Sequence, residues 1–364
     1  MSSAQNDFLH LLRCALWDLK PNLERIEDWN GVLRLAQRHT TLGLAGHAAL
    51  QTQAVAQLLP ESHQRLQHEV AKMAADSKQN NLLVCRLLTA LQAEQVHTVL
   101  LKGVGLADFY PQPELRHCGD IDLLVKPEQF EKAIGILNKM ATTDAVQKAF
   151  TSDKHYHIVI DGRHVELHRH CMTLRNERRQ RAFLVYETQG CNTNLDDFQM
   201  NGIVVHRPEA TFNAVYVLLH LWEHFKDRGI GLRQVCDWTM LIHARHERID
   251  TQQLTLMLNA LQLYDVWRLV GSLAVRHLGL PQTEMPFYDS HFDRKANRML
   301  RIILKEGNFG KARPLRQIHQ RKKGVLRRLT TLVDVQVRAW RIFILLPKAG
   351  WQNWKEKMKG GISK

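Results

Sequence analysis

Apolar positions along the chain switch between a helical repeat and a strand repeat, and the switches mark out its elements. From residue 6 to 95, FLHLLRCALW, WNGVLRLAQRH, LAGHAALQTQAVAQLL and HQRLQHEVAKMAADSKQNNLLVCRLLTALQAEQ carry apolar residues at spacings of three and four. Pro21 and Pro60 punctuate these runs, which together predict a helical layer. Val96 to Leu101 is largely apolar and reads as a buried strand, closed by Gly103 and Gly105, where the missing side chain permits a turn or a close approach. Gly119 to Val125, GDIDLLV, predicts a second strand. Lys126-Pro127-Glu128 then opens a helix through about Met140, with Phe130, Ala133, Ile134 and Leu137 as its apolar stripe. His155 to Ile160 and His164 to His168 flank Asp161-Gly162, a strong hairpin signal. Residues 207–280 return to helix: one begins at Pro208 and ends at Gly229 and Gly231, and LRQVCDWTMLIHAR forms the next. A looser stretch spans 280–293, and helix resumes near Arg294.

These elements predict an α+β chain, a small mixed sheet flanked by helical regions. The boundaries fall at 1–95 (N-terminal helical region), 96–205 (sheet-bearing core), 206–310 (C-terminal helical domain) and 311–364 (basic amphipathic tail). With 364 residues, 45% hydrophobic and 24% charged, the chain can bury substantial cores and is not disordered as a whole. The six cysteines are scattered without a CxxC pair, which argues against a disulfide framework or a zinc ribbon. MSSAQNDFLHLL lacks the features of a signal peptide, and no apolar run is long enough to span a bilayer, so a cytoplasmic location is expected.

Charge is uneven. Residues 311–364 hold fifteen Lys and Arg against Asp334 and Glu356, so this segment carries most of the net +14 and the remainder of the chain is near neutral. Leu326, Leu329, Trp340, Phe343, Trp351 and Trp354 interleave with the basic residues. Basic helices with interfacial tryptophans suit an anionic membrane surface or an acidic partner, and a peripheral position at the inner face of the membrane follows as an expectation. Nucleic acid is not the expected partner, because the basicity lies in the tail and not in the core.

The chemistry concentrates at 96–125. Asp120 and Asp122 are two apart on a strand and therefore project from one face, their Cα atoms about 7 Å apart. Two carboxylates in one place repel unless a cation lies between them, and an oxygen-rich pair suits Mg²⁺ bound together with a substrate phosphate. Lys102 and Arg116 are the nearest cations, and the turn amides around Gly103, Gly105 and Gly119 can donate to phosphate oxygens.

LLKGVGLADFYP, Arg116 and GDIDLLV resemble the uncharacterised nucleotidyltransferase family of the DNA polymerase β-like superfamily. That pattern is a strand, a Gly-Gly or Gly-Ser turn opening a helix, and Asp-x-Asp on the next strand, with a third carboxylate on a later one. Val104 replaces the usual small residue of the turn, and sixteen residues separate Gly103 from Asp120, more than is usual. The resemblance implies nucleotidyl transfer from an NTP to an acceptor, with two Mg²⁺ ions, or Mn²⁺, held by Asp120, Asp122 and a third acid. Val165-Glu166-Leu167-His168 supplies Glu166 as third ligand or general base and His168 as a contact for phosphate or acceptor, ahead of Asp161 in the turn and Asp153 in a loop. By the same resemblance His220, Arg233 and Asp237 line the acceptor side. The acceptor is left open: sugar, lipid-linked glycan, peptide, protein hydroxyl or small antibiotic would leave the same carboxylate signature.

Two other readings compete. A degenerate nucleotidyltransferase fold acting as a nucleotide-binding or membrane-associated scaffold would bind nucleotide without releasing pyrophosphate. A zinc hydrolase would use the H-x-x-E-H formed by His220, Glu223 and His224.

Overall fold

The computed structural model describes residues 1–152, 155–312 and 324–359. Asp153 and the tail segments 313–323 and 360–364 lie outside the described residues. The chain divides into two compact units, 1–68 with 218–247 and 258–364, and 69–217 with 248–257.

The first unit is helical. Its opening helix, Ser3–Leu16, is fixed at its start by a capping box in which Ser2 and Gln5 exchange side-chain and backbone hydrogen bonds. Phe8, Leu11, Leu12 and Leu16 are fully buried along one face. His39 is also fully buried and stacks on Phe8, and its Nδ1 accepts from the Leu232 amide at 3.3 Å. Burial, reinforced by the Arg38 charge, pushes its pKa down to about 4, so it is a neutral structural imidazole. Trp238 and Trp267 pack edge to face, 5.1 Å between centroids. The apolar run predicted as one helix over 44–59 breaks after Leu42–Leu50, because Thr52 turns extended and its hydroxyl takes the Ala49 carbonyl at 2.7 Å.

The second unit contains the sheet. Strands β1 (Thr98–Leu100), β2 (Ile121–Val125), β3 (Phe150–Thr151), β4 (His155–Ile160) and β5 (Arg163–His168) lie in the order β1-β2-β5-β4-β3. Only β2 and β5 run parallel, and the remaining pairs are antiparallel, so the sheet is mixed as predicted. Asp161 and Gly162 both take positive φ, 50° and 73°, the type I′ turn that Asp-Gly favours between twisted strands. Ile121, Leu123, Val125, Tyr156, Ile158, Ile160, Val165 and Leu167 point to one face. There they meet Leu83, Val84, Leu87 and Leu91 of the helix Pro60–Ala93, and Phe130, Ala133 and Leu137 of the helix Phe130–Met140. At about 1.5–3 kcal/mol for each large apolar side chain buried, this layer fixes which face of the sheet is core. The alternate residues therefore share the opposite face.

A second hairpin, β6 (Asp196–Met200) and β7 (Ile203–Arg207), turns through Asn201-Gly202 with positive φ at both residues. Arg207 at its end is fully buried between the rings of Phe109 and Phe198, its guanidinium carbon 4.3 and 4.1 Å from their centroids. It pairs with Asp108 at 3.1 Å and Asp196 at 3.2 Å and donates to the Gly105 carbonyl at 3.2 Å. Asp196 is held in turn by Arg248 at 2.5 Å.

Candidate active site

Parallel pairing sets Asp122 of β2 directly opposite Glu166 of β5, and Leu124 opposite His168. On the other side of β5, Glu166 faces His157 and His168 faces His155. One row of the open face thus reads Asp122, Glu166, His157 across three strands. β2 begins one residue later than Asp120, because its first ladder partner is Val165 opposite Ile121, and Asp120 stands exposed at the strand's mouth.

β1 supplies the cation. The Leu101 amide bonds the Asp122 carbonyl at 3.0 Å, extending the β1–β2 ladder by one step, and Lys102 follows at once. Its Nζ donates to Asp122 Oδ1 at 2.5 Å. Gly103 then turns with φ +71°, and a Cβ there would meet the Asp120 carbonyl oxygen at 3.1 Å and Asp122 Oδ2 at 3.8 Å. The glycine is required on both counts. The helix after the turn is a single turn, Val104–Ala107, and Val104 points into the core, so a β-branched residue is accommodated at this position of the turn.

His168 Nε2 lies 3.0 Å from Asp122 Oδ1 and 3.4 Å from Glu166 Oε2, and His155 Nε2 lies 3.5 Å from Glu166 Oε1. Burial alone would raise the Asp122 pKa, but the Lys102 charge and the His168 hydrogen bond outweigh it and hold the carboxyl well below the usual range. Glu166 is lowered in the same way: burial opposes ionisation and the His168 hydrogen bond overcomes it. His168 is raised, since its bonds to Asp122 and Glu166 override the cost of burying its charge. Asp120 behaves oppositely. Protein packed around its carboxyl and the like charges of Asp122 and Glu166 raise its pKa. Asp120, Asp122 and Glu166 thus share one negative field, answered here by Lys102 and His168; carboxylate oxygens are the donor type that hard divalent cations take.

Of the other residues singled out from sequence, Gly105 is buried with its carbonyl on Arg207, and Gly119 faces open space. Arg116 is buried, with Nη1 3.1 Å from Cys118 Sγ. His220, Arg233 and Asp237 belong to the first unit; Arg233 and Asp237 are four apart on the helix Leu232–Arg245, with Asp237 buried. At 220–224 the two imidazoles lie 3.1 Å apart, Glu223 pairs with Lys226 at 2.7 Å, and no third ligand gathers with them among the described residues. The group of metal-capable side chains found there is instead His155, Glu166 and His168. His155, His157 and His164 were not anticipated, although H-x-H and H-x-E-x-H about an Asp-Gly turn place all five positions on one face. Arg207 left no comparable signal.

A family model described as an uncharacterised nucleotidyltransferase matches residues 26–279. The chain belongs to that family. Comparison with curated proteins and with solved structures returns no match. The matched span includes all seven strands found among the described residues and the helix Leu232–Arg245, so the carboxylate face and His220, Arg233 and Asp237 all fall within it. Membership supports nucleotidyltransferase activity in general and leaves the acceptor open.

Proposed function

We propose that the chain transfers an NMP group from an NTP to an acceptor, with Asp120, Asp122 and Glu166 as its metal-binding carboxylates. The observation that carries this reading is the in-register pairing of Asp122 with Glu166, beside a lysine already seated on Asp122. Two Mg²⁺ ions, or Mn²⁺, held by these three acids would supply Lewis-acid stabilisation of the phosphoryl oxygens and of the leaving group. In the reaction the acceptor oxygen bonds to the α-phosphorus, the bond to pyrophosphate breaks, and the acceptor's proton passes to water. Glu166, kept ionised by His168, is better suited as a ligand than as a proton acceptor. Lys102 neutralises Asp122 before nucleotide arrives, and Lys102 and Arg116 are the nearest cations for the triphosphate. The Gly103 turn presents backbone amides beside the carboxylates.

The experiment is pyrophosphate release from each of the four NTPs in Mg²⁺, with cell extract as acceptor source. Release with one base preferred supports the reading; tight nucleotide binding without release would move the assignment to a nucleotide-binding scaffold. Gly103→Ala should destabilise the protein by about 1–3 kcal/mol and raise KM for the NTP, as read by urea denaturation and steady-state kinetics. Unchanged values for both would remove the turn from the site.

We also place the tail on an anionic bilayer. No described helix is long and apolar enough to cross a membrane. The helices Gly324–Leu345 and Pro347–Lys359 nevertheless expose Val333, Trp340, Phe343, Ile344, Trp351 and Trp354 within the basic segment. Each basic residue near an anionic surface contributes about 1 kcal/mol. The full chain should co-sediment with phosphatidylglycerol-containing vesicles and be released by salt. Equal sedimentation with purely zwitterionic vesicles, or none with either, would refute the assignment.

A further inference from the structure

The open face of the sheet carries more nitrogen than a magnesium-dependent transfer needs. His155 and His157 project from β4, and His164 and His168 from β5. Glu166 stands among them with a ring nitrogen at each carboxylate oxygen: His155 Nε2 3.5 Å from Oε1 and His168 Nε2 3.4 Å from Oε2. The donor atoms of His155, Glu166 and His168 all lie within 4.8 Å of one another. Donors about 2.0–2.2 Å from a tetrahedral ion stand about 3.3–3.6 Å from each other. The two separations to the Glu166 carboxylate fall in that interval and the imidazole–imidazole one lies within 4.8 Å, so side-chain adjustments would bring all three onto one ion.

The donor set also selects the ion. Mg²⁺ takes oxygen ligands and retains water, whereas imidazole nitrogen prefers borderline transition ions. Asp120 and Asp122 offer only oxygen and lie on the far side of Glu166 from His155. The face is therefore graded, hard donors on β2 and nitrogen donors on β4 and β5, with Glu166 between them. The backbone already fixes the cluster, because the β4–β5 ladder sets His155 opposite His168. His168 is buried and His155 half-buried, while half-buried His157 and exposed His164, 2.9 Å apart, lie beside them.

We propose that His155, Glu166 and His168 form a binding site for a divalent transition ion of the zinc class, distinct from the all-carboxylate site and sharing Glu166 with it. The site shares a side chain with the transfer reaction but does not depend on that reaction.

The test is titration of the chelator-treated full-length protein with Co²⁺, followed by visible absorption, together with metal content after gel filtration in Zn²⁺. One equivalent of Co²⁺ should produce the d–d bands of a four- or five-coordinate ion. Zn²⁺ should displace it, and a large excess of Mg²⁺ should not. Loss of an outer-sphere partner typically costs 10–100-fold in metal affinity, so His155→Ala, which removes a direct ligand, should weaken binding by at least about 100-fold. His157→Ala should leave binding unchanged. Absence of a band in wild type, which needs no variant to interpret, would overturn the proposal. So would wild-type affinity in His155→Ala, loss of binding in His157→Ala, which would move the metal to the His157–His164 pair, or ready displacement by Mg²⁺. Pyrophosphate release in Mg²⁺ alone, measured on the same preparations, reports separately on nucleotidyl transfer.

Discussion

Asp122→Ala should lower pyrophosphate release by about a thousandfold or more for every NTP, equivalent to about 4 kcal/mol of lost transition-state stabilisation. Asp122 is the residue on which Lys102 and His168 both converge, and it is only 3% exposed. Its removal would take away a proposed metal ligand, the partner of a half-buried ammonium and the first of the two carboxylates that raise the His168 pKa. Asp122→Asn separates these effects, since it retains the volume and one acceptor oxygen but not the charge. It should be as inactive as the alanine variant while losing less stability. The measurement is single-turnover release beside equilibrium nucleotide binding. Activity within tenfold of wild type in Asp122→Asn would refute the assignment of this carboxylate to the metals, because an amide does not replace a carboxylate there. Nucleotide binding should survive better than turnover, as expected for an interaction that matters most in the transition state.

The largest expected stability effect lies away from the carboxylates. Arg207→Met should cost about 3–5 kcal/mol, the range for breaking one side of a buried ion-pair network. Asp196 is 1% exposed and would lose Arg207 while keeping Arg248, and the Gly105 carbonyl would lose the Arg207 donor. Arg207→Lys should rescue little, since an ammonium cannot lie flat between Phe109 and Phe198 while reaching Asp108 and Asp196 together. Urea denaturation followed by far-UV circular dichroism reads the loss. A change under about 1 kcal/mol, the usual value of an exposed pair, would show that the network contributes no more than surface charges do.

The two parts of the site differ in how far they could be read from the chain. β2 and the β4–β5 hairpin were legible because Leu-Leu-Val and Asp-Gly are local signals, and the two-residue repeat assigns Asp122, Glu166 and His168 to faces without any tertiary information. The pairing of β2 with β5 is a different matter. Residues 46 apart are joined only through the sheet, and no local preference encodes which strand lies beside which. The histidines of β4 were missed for that reason: H-x-H alone gives a face, not a neighbour. The second hairpin shows the opposite failure. Asn201-Gly202 is an orthodox turn, but Asp196 and Asp197 are poor strand formers, and β6 forms because Arg207 and Arg248 neutralise Asp196. Arg207 could not be foreseen at all, since its partners at 105, 108 and 196 converge only in the fold.

β5 is the last strand of the sheet to be synthesised and yet lies between β2 and β4. The hairpin can close locally, whereas its docking on β2 must wait for the intervening chain to be gathered in. Neither segment alone contains both acids of the Asp122–Glu166 pair. Their mutual repulsion is therefore postponed to the docking step, and the same strand that brings Glu166 also brings His168 to bridge the two carboxylates. The histidine travels with the charge it has to calm, so the assembly of the sheet never passes through a stage in which the two acids face each other unescorted.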